Sequence, residues 1–86
     1  MTPGLPRRRD DLEVAEAAGG IVVHDAGRGR VHYLNPIAML IYELCDGETA
    51  VGDIVRLLAE AYGPQPALEE QVERYVTLLR NEHLVI

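Results

Sequence analysis

Phenylalanine and tryptophan are absent from this 86-residue chain, whose aromatic content is four tyrosines, Tyr33, Tyr42, Tyr62 and Tyr75. Aliphatic Leu, Ile, Val and Ala must therefore supply most of the buried surface, which predicts modest stability. There is a single cysteine, Cys45, so no internal disulfide can form. No apolar run approaches the roughly 20 residues that span a bilayer. The segment Met1 to Asp11 has no apolar core of the kind a signal peptide carries, and the expectation is a cytoplasmic protein. Positive charge is scarce as well. Eight Lys and Arg face fourteen Asp and Glu, a formal net charge of −6 that opposes the phosphates of nucleic acid and the anionic surface of a membrane. Neither is expected as a partner.

What is present fits one small globular domain. The chain is too short for a second core, and 48% hydrophobic with 26% charged residues is an ordinary globular balance. Residues 1–10, with Pro3, Gly4 and Pro6 ahead of Arg7, Arg8 and Arg9, read as a flexible N-terminal arm, and 11–86 as the folded unit. Between Leu12 and Leu34 the turn signals Gly19-Gly20 and Gly27-Arg28-Gly29 separate short apolar runs. Three strands are predicted there, near Asp11 to Glu16, Gly20 to Asp25 and Arg30 to Leu34, joined as an antiparallel meander.

After Leu34 the period changes from two to about 3.6. Asn35 can cap a helix and Pro36 suits its first position, so a first helix is predicted over Pro36 to Cys45, ended by the turn Asp46-Gly47. A second begins after Thr49, read as its cap, and stops at Gly63-Pro64. A third starts after Pro66 and runs to about Asn81, and Leu84-Val85-Ile86 packs back on the body. The fold class is α+β: a three-stranded antiparallel sheet followed by three helices, a winged helix-turn-helix-like arrangement.

No catalytic constellation stands out. His24, His32 and His83 lie in separate elements without metal-ligand spacing. Cys45 has carboxylates, not cations, beside it in sequence and reads as a buried structural thiol. Glu69, Glu70 and Glu73 open the third helix, where its dipole and water favour negative charge. The chain is expected not to be an enzyme, and no cofactor or metal is expected. The winged-helix shape raises DNA binding as an alternative, yet the third helix sets Glu69, Glu70, Glu73 and Glu82 against Arg74 and Arg80, the wrong balance for phosphate. The strand Arg30-Val31-His32-Tyr33-Leu34 ends the meander with an edge open to a guest strand, or to a second copy of the chain in an edge-dimerising subunit.

Particular residues carry a resemblance. Arg30 to Ala38 is similar to the third strand and its Leu-Asn step into helix one in the PqqD-like peptide chaperones, or RiPP recognition elements. Ile41-Tyr42-Glu43-Leu44-Cys45-Asp46-Gly47 and Thr49 to Val55 resemble that family's helix one, Asp-Gly turn and helix two. The likeness covers about Leu12 to Ile86. It implies a non-catalytic chaperone that captures the leader of a ribosomal precursor peptide. The leader would add antiparallel to strand three and lie between it and helix three. On that resemblance the contacts are Arg30, Val31, His32, Tyr33 and Leu34 for backbone pairing and Val72, Tyr75, Val76 and Leu79 for the groove wall, with Arg74 and the arm arginines available to acidic leader residues. Periodicity fits the same helix residues to a core role, and the two roles stay open. The partners implied are the precursor peptide and a separate tailoring enzyme, a radical-SAM enzyme or a leader protease. The expected state is a monomer or weak homodimer.

Overall fold

The computed structural model describes residues 5–86. Strands β1 (Glu13–Ala17), β2 (Gly20–Asp25) and β3 (Arg30–Leu34) precede helices α1 (Pro36–Leu44), α2 (Val51–Tyr62) and α3 (Leu68–Asn81). The sheet is antiparallel in the order β1-β2-β3, with Val14 opposite Val23 and Ile21 opposite Leu34. The expected α+β architecture is thus observed, with boundaries shifted by one or two residues. Gly20 must be glycine, because a Cβ there would sit 2.0 Å from the Leu34 carbonyl oxygen. This contact closes the start of β2 onto the end of β3.

One face of the sheet is buried. Ile21, Val23 and Leu34 point inward and meet Ala38 and Ile41 of α1, Ile54 and Leu58 of α2, and Val72, Val76 and Leu79 of α3. The core is almost wholly aliphatic, as the missing aromatics require, with Tyr42 its one buried ring. Helix α1 begins as its sequence dictates: Asn35 accepts from the Ala38 amide at 2.9 Å and Pro36 follows it. Helix α2 differs from the reading that made Thr49 its cap. Its N-cap is Ala50, without a side-chain bond. The turn is built instead by Asp46, which accepts from the amides of Glu48 and Thr49 at 2.8 and 2.9 Å and from the Thr49 hydroxyl. Those bonds to the charged form hold the Asp46 carboxyl below its usual range. The Thr49 hydroxyl is thereby engaged by Asp46 in the loop instead of capping the helix.

Helix α3 ends in a Schellman motif. The Leu84 amide donates to the Leu79 carbonyl at 2.9 Å and the His83 amide to Arg80 at 3.0 Å. The left-handed position falls on His83, with φ 62°, where glycine is the usual occupant. The reversal drives Leu84 and Val85 into the core at 1% and 3% exposure.

The N-terminal segment departs from the flexible arm expected over residues 1–10, of which 1–4 lie outside the described residues. Residues 5–9 run between two stretches of chain and bond to both. On one side Arg8 donates to the Cys45 carbonyl and Gly47 to that of Pro6, both at 2.9 Å. On the other Ile86 donates to Arg7 at 2.7 Å and Arg9 to Leu84 at 3.3 Å. The Arg9 guanidinium reaches the 1%-exposed Asp25 at 2.8 Å and the His83 carbonyl at 3.0 Å. Composition carries no sign of this docking because its partners are non-local: a buried carboxylate and two stretches of unpaired backbone.

Burial alone would push the Asp25 carboxyl up. The Arg9 hydrogen bond, the Arg28 amide and both guanidinium charges outweigh it and leave the carboxyl below its ordinary value. A carboxyl lowered in the folded state stabilises fully above the unfolded value, about 4, and that contribution is lost as pH falls through the folded value. Unfolding midpoints measured across this acid range should therefore decline more steeply for the wild type than for Asp25→Asn, which should be less stable at pH 7. Equal slopes would discount the pair. Replacing His83 by Gly should raise stability by about 0.5–1 kcal/mol in urea unfolding, since glycine adopts the left-handed position without a Cβ penalty.

Candidate functional site

The β3 edge of the sheet borders a groove between strand and helix. The groove measures about 340 Å³ and is lined by Val31, His32, Tyr33 and Leu34 from β3, Leu78, Leu79 and Glu82 from α3, and Leu84 from the C-terminal turn. The register puts His32 and Leu34 on the buried face, opposite Val23 and Ile21. Val31 and Tyr33 fall on the other face and are 65% and 55% exposed. The Tyr33 ring is held by its hydroxyl, which donates to the Ala18 carbonyl at 2.9 Å. Leu78 adds a third exposed apolar side chain, at 50%. Among the described residues β3 pairs only with β2, so one side of its backbone has no strand partner.

Charged groups tie the strand to the helix end. Glu82 lies 3.5 Å from the Arg30 guanidinium and 3.9 Å from His32 Nδ1. Arg30 is largely solvated and Glu82 partly so, so the pair is worth little as stability. It does hold the groove mouth as a defined arrangement of cation and anion. The other His32 nitrogen, Nε2, is buried without a hydrogen-bond partner among the described residues.

The residues anticipated for peptide contact separate into three groups. Val31, His32, Tyr33, Leu34 and Leu79 line the groove, with Arg30 at its mouth. Val72 and Val76, at 0% and 2% exposure, serve the core, the second of the two roles periodicity left open. Arg74 is exposed on α3 outside the groove lining. Tyr75 is half-buried, and its hydroxyl accepts from the Asn35 side-chain amide at 3.3 Å, linking α3 to the start of α1. The sequence reading missed Leu78, Glu82 and Leu84. Leu78 was discoverable: of two adjacent leucines on a helix only one can follow the stripe Val72, Val76, Leu79, and the other must face elsewhere.

Little at the site suggests bond-making chemistry. Among the described residues no group of three His, Cys, Asp or Glu side chains converges to hold a metal ion. Cys45 is fully buried, and desolvation pushes its thiol up to about 11, against the opposing pull of Arg8 and Arg80. What the groove offers is an open strand edge, an apolar lining and one charged pair, the ingredients of peptide recognition by strand addition.

Comparison with known proteins agrees with this geometry. The family model described as coenzyme PQQ synthesis protein D (PqqD) matches residues 20–85. No curated protein matches the chain in sequence. Two solved structures share the fold. TbiB1 in complex with the TbiA(beta) leader peptide superposes with a TM-score of 0.78 at 19% identity, over 92% of this chain and 93% of that one. A lasso peptide synthetase B1 complexed with the leader peptide gives 0.80 at 24% identity, over 95% and 98%.

At neutral pH a buried thiol raised this far carries almost no thiolate. Cys45 should accordingly resist a thiol-reactive disulfide reagent in the native protein and react at the rate of a free cysteine in denaturant. Rapid native labelling would contradict the burial.

Proposed function

The chain belongs to the PqqD family, and from that premise we propose that it is a non-catalytic chaperone that captures the leader segment of a ribosomal precursor peptide. The observation that carries this reading is the β3 edge, open among the described residues beside an apolar groove, while the chain's own N-terminal segment pairs elsewhere. The resemblance to two proteins solved with leader peptides supports it.

An extended leader adds antiparallel to β3, and its main chain completes the hydrogen bonds the edge lacks. Backbone pairing supplies affinity that depends little on sequence. Selectivity comes from alternate side chains, which fall to the groove on one face and to the exposed sheet face on the other. Val31, Tyr33 and Leu78 are desolvated by the guest, and a buried area of even 100 Å² among them is worth about 2.5 kcal/mol before ordering costs. Arg30 and His32 beside Glu82 give the mouth a polar register mark. Leu34 and Leu79 form the floor, and Tyr75 ties α3 to Asn35 at the start of α1. Arg74, with the arm arginines behind it, is available to acidic residues of the leader outside the groove.

The chaperone performs no chemistry on its guest. It raises the effective concentration of the attached core peptide at a separate tailoring enzyme, of the radical-SAM or leader-protease class. The active unit is a monomer or weak homodimer, because a tight edge-to-edge dimer through β3 would occupy the site.

Strand addition has a period-two signature. The test titrates the protein with fluorescent leaders of candidate precursor peptides, the best binder then N-methylated at one position at a time. Methylation at alternate residues of the paired stretch should weaken binding and the residues between should tolerate it. Leu78→Asp should weaken the unmodified leader at least tenfold, about 1.4 kcal/mol, with Arg56→Ala on α2 unchanged. A folded Leu78→Asp that binds normally, together with a methylation scan flat at every position, would overturn the proposal.

A further inference from the structure

The sheet has a second edge, and the proposed peptide site leaves it untouched. Strand β1 pairs only with β2 among the described residues, and Glu13 to Glu16 are exposed along its length. Beside it lies a groove of about 520 Å³ between β1, the start of β2 and α1. Val14, Ile21 and Met39 give it an apolar floor, with Val14 51% exposed. Glu16 and Glu43 stand on its two walls, one from the strand and one from the helix. Among the described residues neither carboxylate has an ion-pair partner. The neighbouring cation, Arg8, is spent on the main-chain oxygens of Tyr42 and Glu43 and lies over the Tyr42 ring.

The register places Val14 and Glu16 on the same face, opposite Val23 and Ile21. An extended guest along β1 would thus present apolar and cationic side chains in alternation on one face, the apolar ones to Val14 and Met39 and the cationic ones between Glu16 and Glu43. This charge preference differs from that of the β3 groove, whose mouth carries Arg30 and His32 as well as Glu82. The two edges are separated by β2, so both can be filled at once.

We propose that the β1–α1 groove docks an extended, lysine- or arginine-bearing segment of the enzyme that acts on the captured peptide. This rests on the reading of β3 as the peptide edge. A carrier that must hold its guest while presenting it needs a second surface, and the acidic edge supplies one with its own selectivity. A cationic segment gains from two unpaired carboxylates and loses at most the hydration of solvated groups. An acidic segment is repelled.

The probe is a blocked hexapeptide, Lys-Ser-Val-Ser-Lys-Ser, whose lysines and valine share one face when extended, with glutamate in place of both lysines as the control, added to the full chain at low salt. The expected result is amide shifts confined to β1 and α1 for the lysine peptide and none for the control. The chain itself contains no lysine, so carbodiimide coupling should join the peptide's amines to Glu16 or Glu43 without cross-linking copies through their side chains. The double variant Glu16→Arg/Glu43→Arg, checked for folding by circular dichroism, should bind at least tenfold more weakly. It should retain affinity for a leader at β3 within twofold. Equal binding by the double variant, shifts confined to β3 and α3, or a sedimentation dimer whose interface is β1 would each overturn the inference. Leader binding is read separately, so a silent β3 edge sinks the chaperone reading and a silent β1 edge sinks this one.

Discussion

The ion pair of Arg9 with Asp25 decides where the N-terminal segment of this protein goes. Asp25 sits at the end of β2 with 1% of its surface exposed, and a carboxylate so enclosed is tolerable only when its charge is met and its oxygens are bonded. Arg9 meets it at 2.8 Å and grips the His83 carbonyl with the same nitrogen. That one guanidinium fastens the segment to the far end of the β2–β3 hairpin and to the turn after α3. The backbone of residues 6–9 then fills the gap between Cys45–Gly47 and Leu84–Ile86.

An open edge is a hazard that small proteins ordinarily blunt with charge, proline or a covering element. Here β3 has only five residues, and its exposed ones are one arginine, one valine and one tyrosine, with the tyrosine hydroxyl tethered to Ala18. The helix beside it shapes the exposure. Val72, Val76 and Leu79 commit α3 to the core along one stripe, and the adjacent Leu78 is carried round toward the strand. The groove is thus a by-product of core packing: the helix cannot bury both leucines of the pair, and the one left over faces the strand.

Much of this was legible in advance because it is local. The change of period at Asn35-Pro36, the glycine pairs that separate the strands and the Gly63-Pro64 stop are each written within a few residues, and the elements fall where those signals put them. The choice of β3 as the functional edge came from its position at the end of the meander and from the resemblance of Arg30 to Ala38 to a known strand-helix junction. What stayed illegible is non-local. The arm's docking depends on Asp25, sixteen residues on, and on a C-terminal segment more than seventy residues away. The left-handed residue at His83 is hidden because histidine, unlike glycine, does not advertise that conformation. Thr49 does not cap α2, because its hydroxyl is turned back to Asp46 and the N-cap falls one residue later, at Ala50, a choice made by the loop's path. Whether Val72 and Val76 face a guest or the core is invisible to periodicity, because both roles lie on the apolar face of one helix.

The sheet's small size carries a further consequence. With three strands and helices on one face, the sheet has, among the described residues, as many free edges as paired interfaces, and each free edge runs beside a helix: β3 by α3 and β1 by α1. A larger sheet would bury more surface and gain stability, but it would move its edges apart and cover them with additional elements. A barrel would abolish them. Recognition through backbone pairing needs an edge, and recognition of two extended chains at once needs two that do not interfere. Three strands are the fewest that provide both with a complete strand between them. The cost appears in the core, where an aliphatic set with a single buried ring holds the fold, and in the need for an N-terminal clamp to close the end of the molecule that the sheet does not reach.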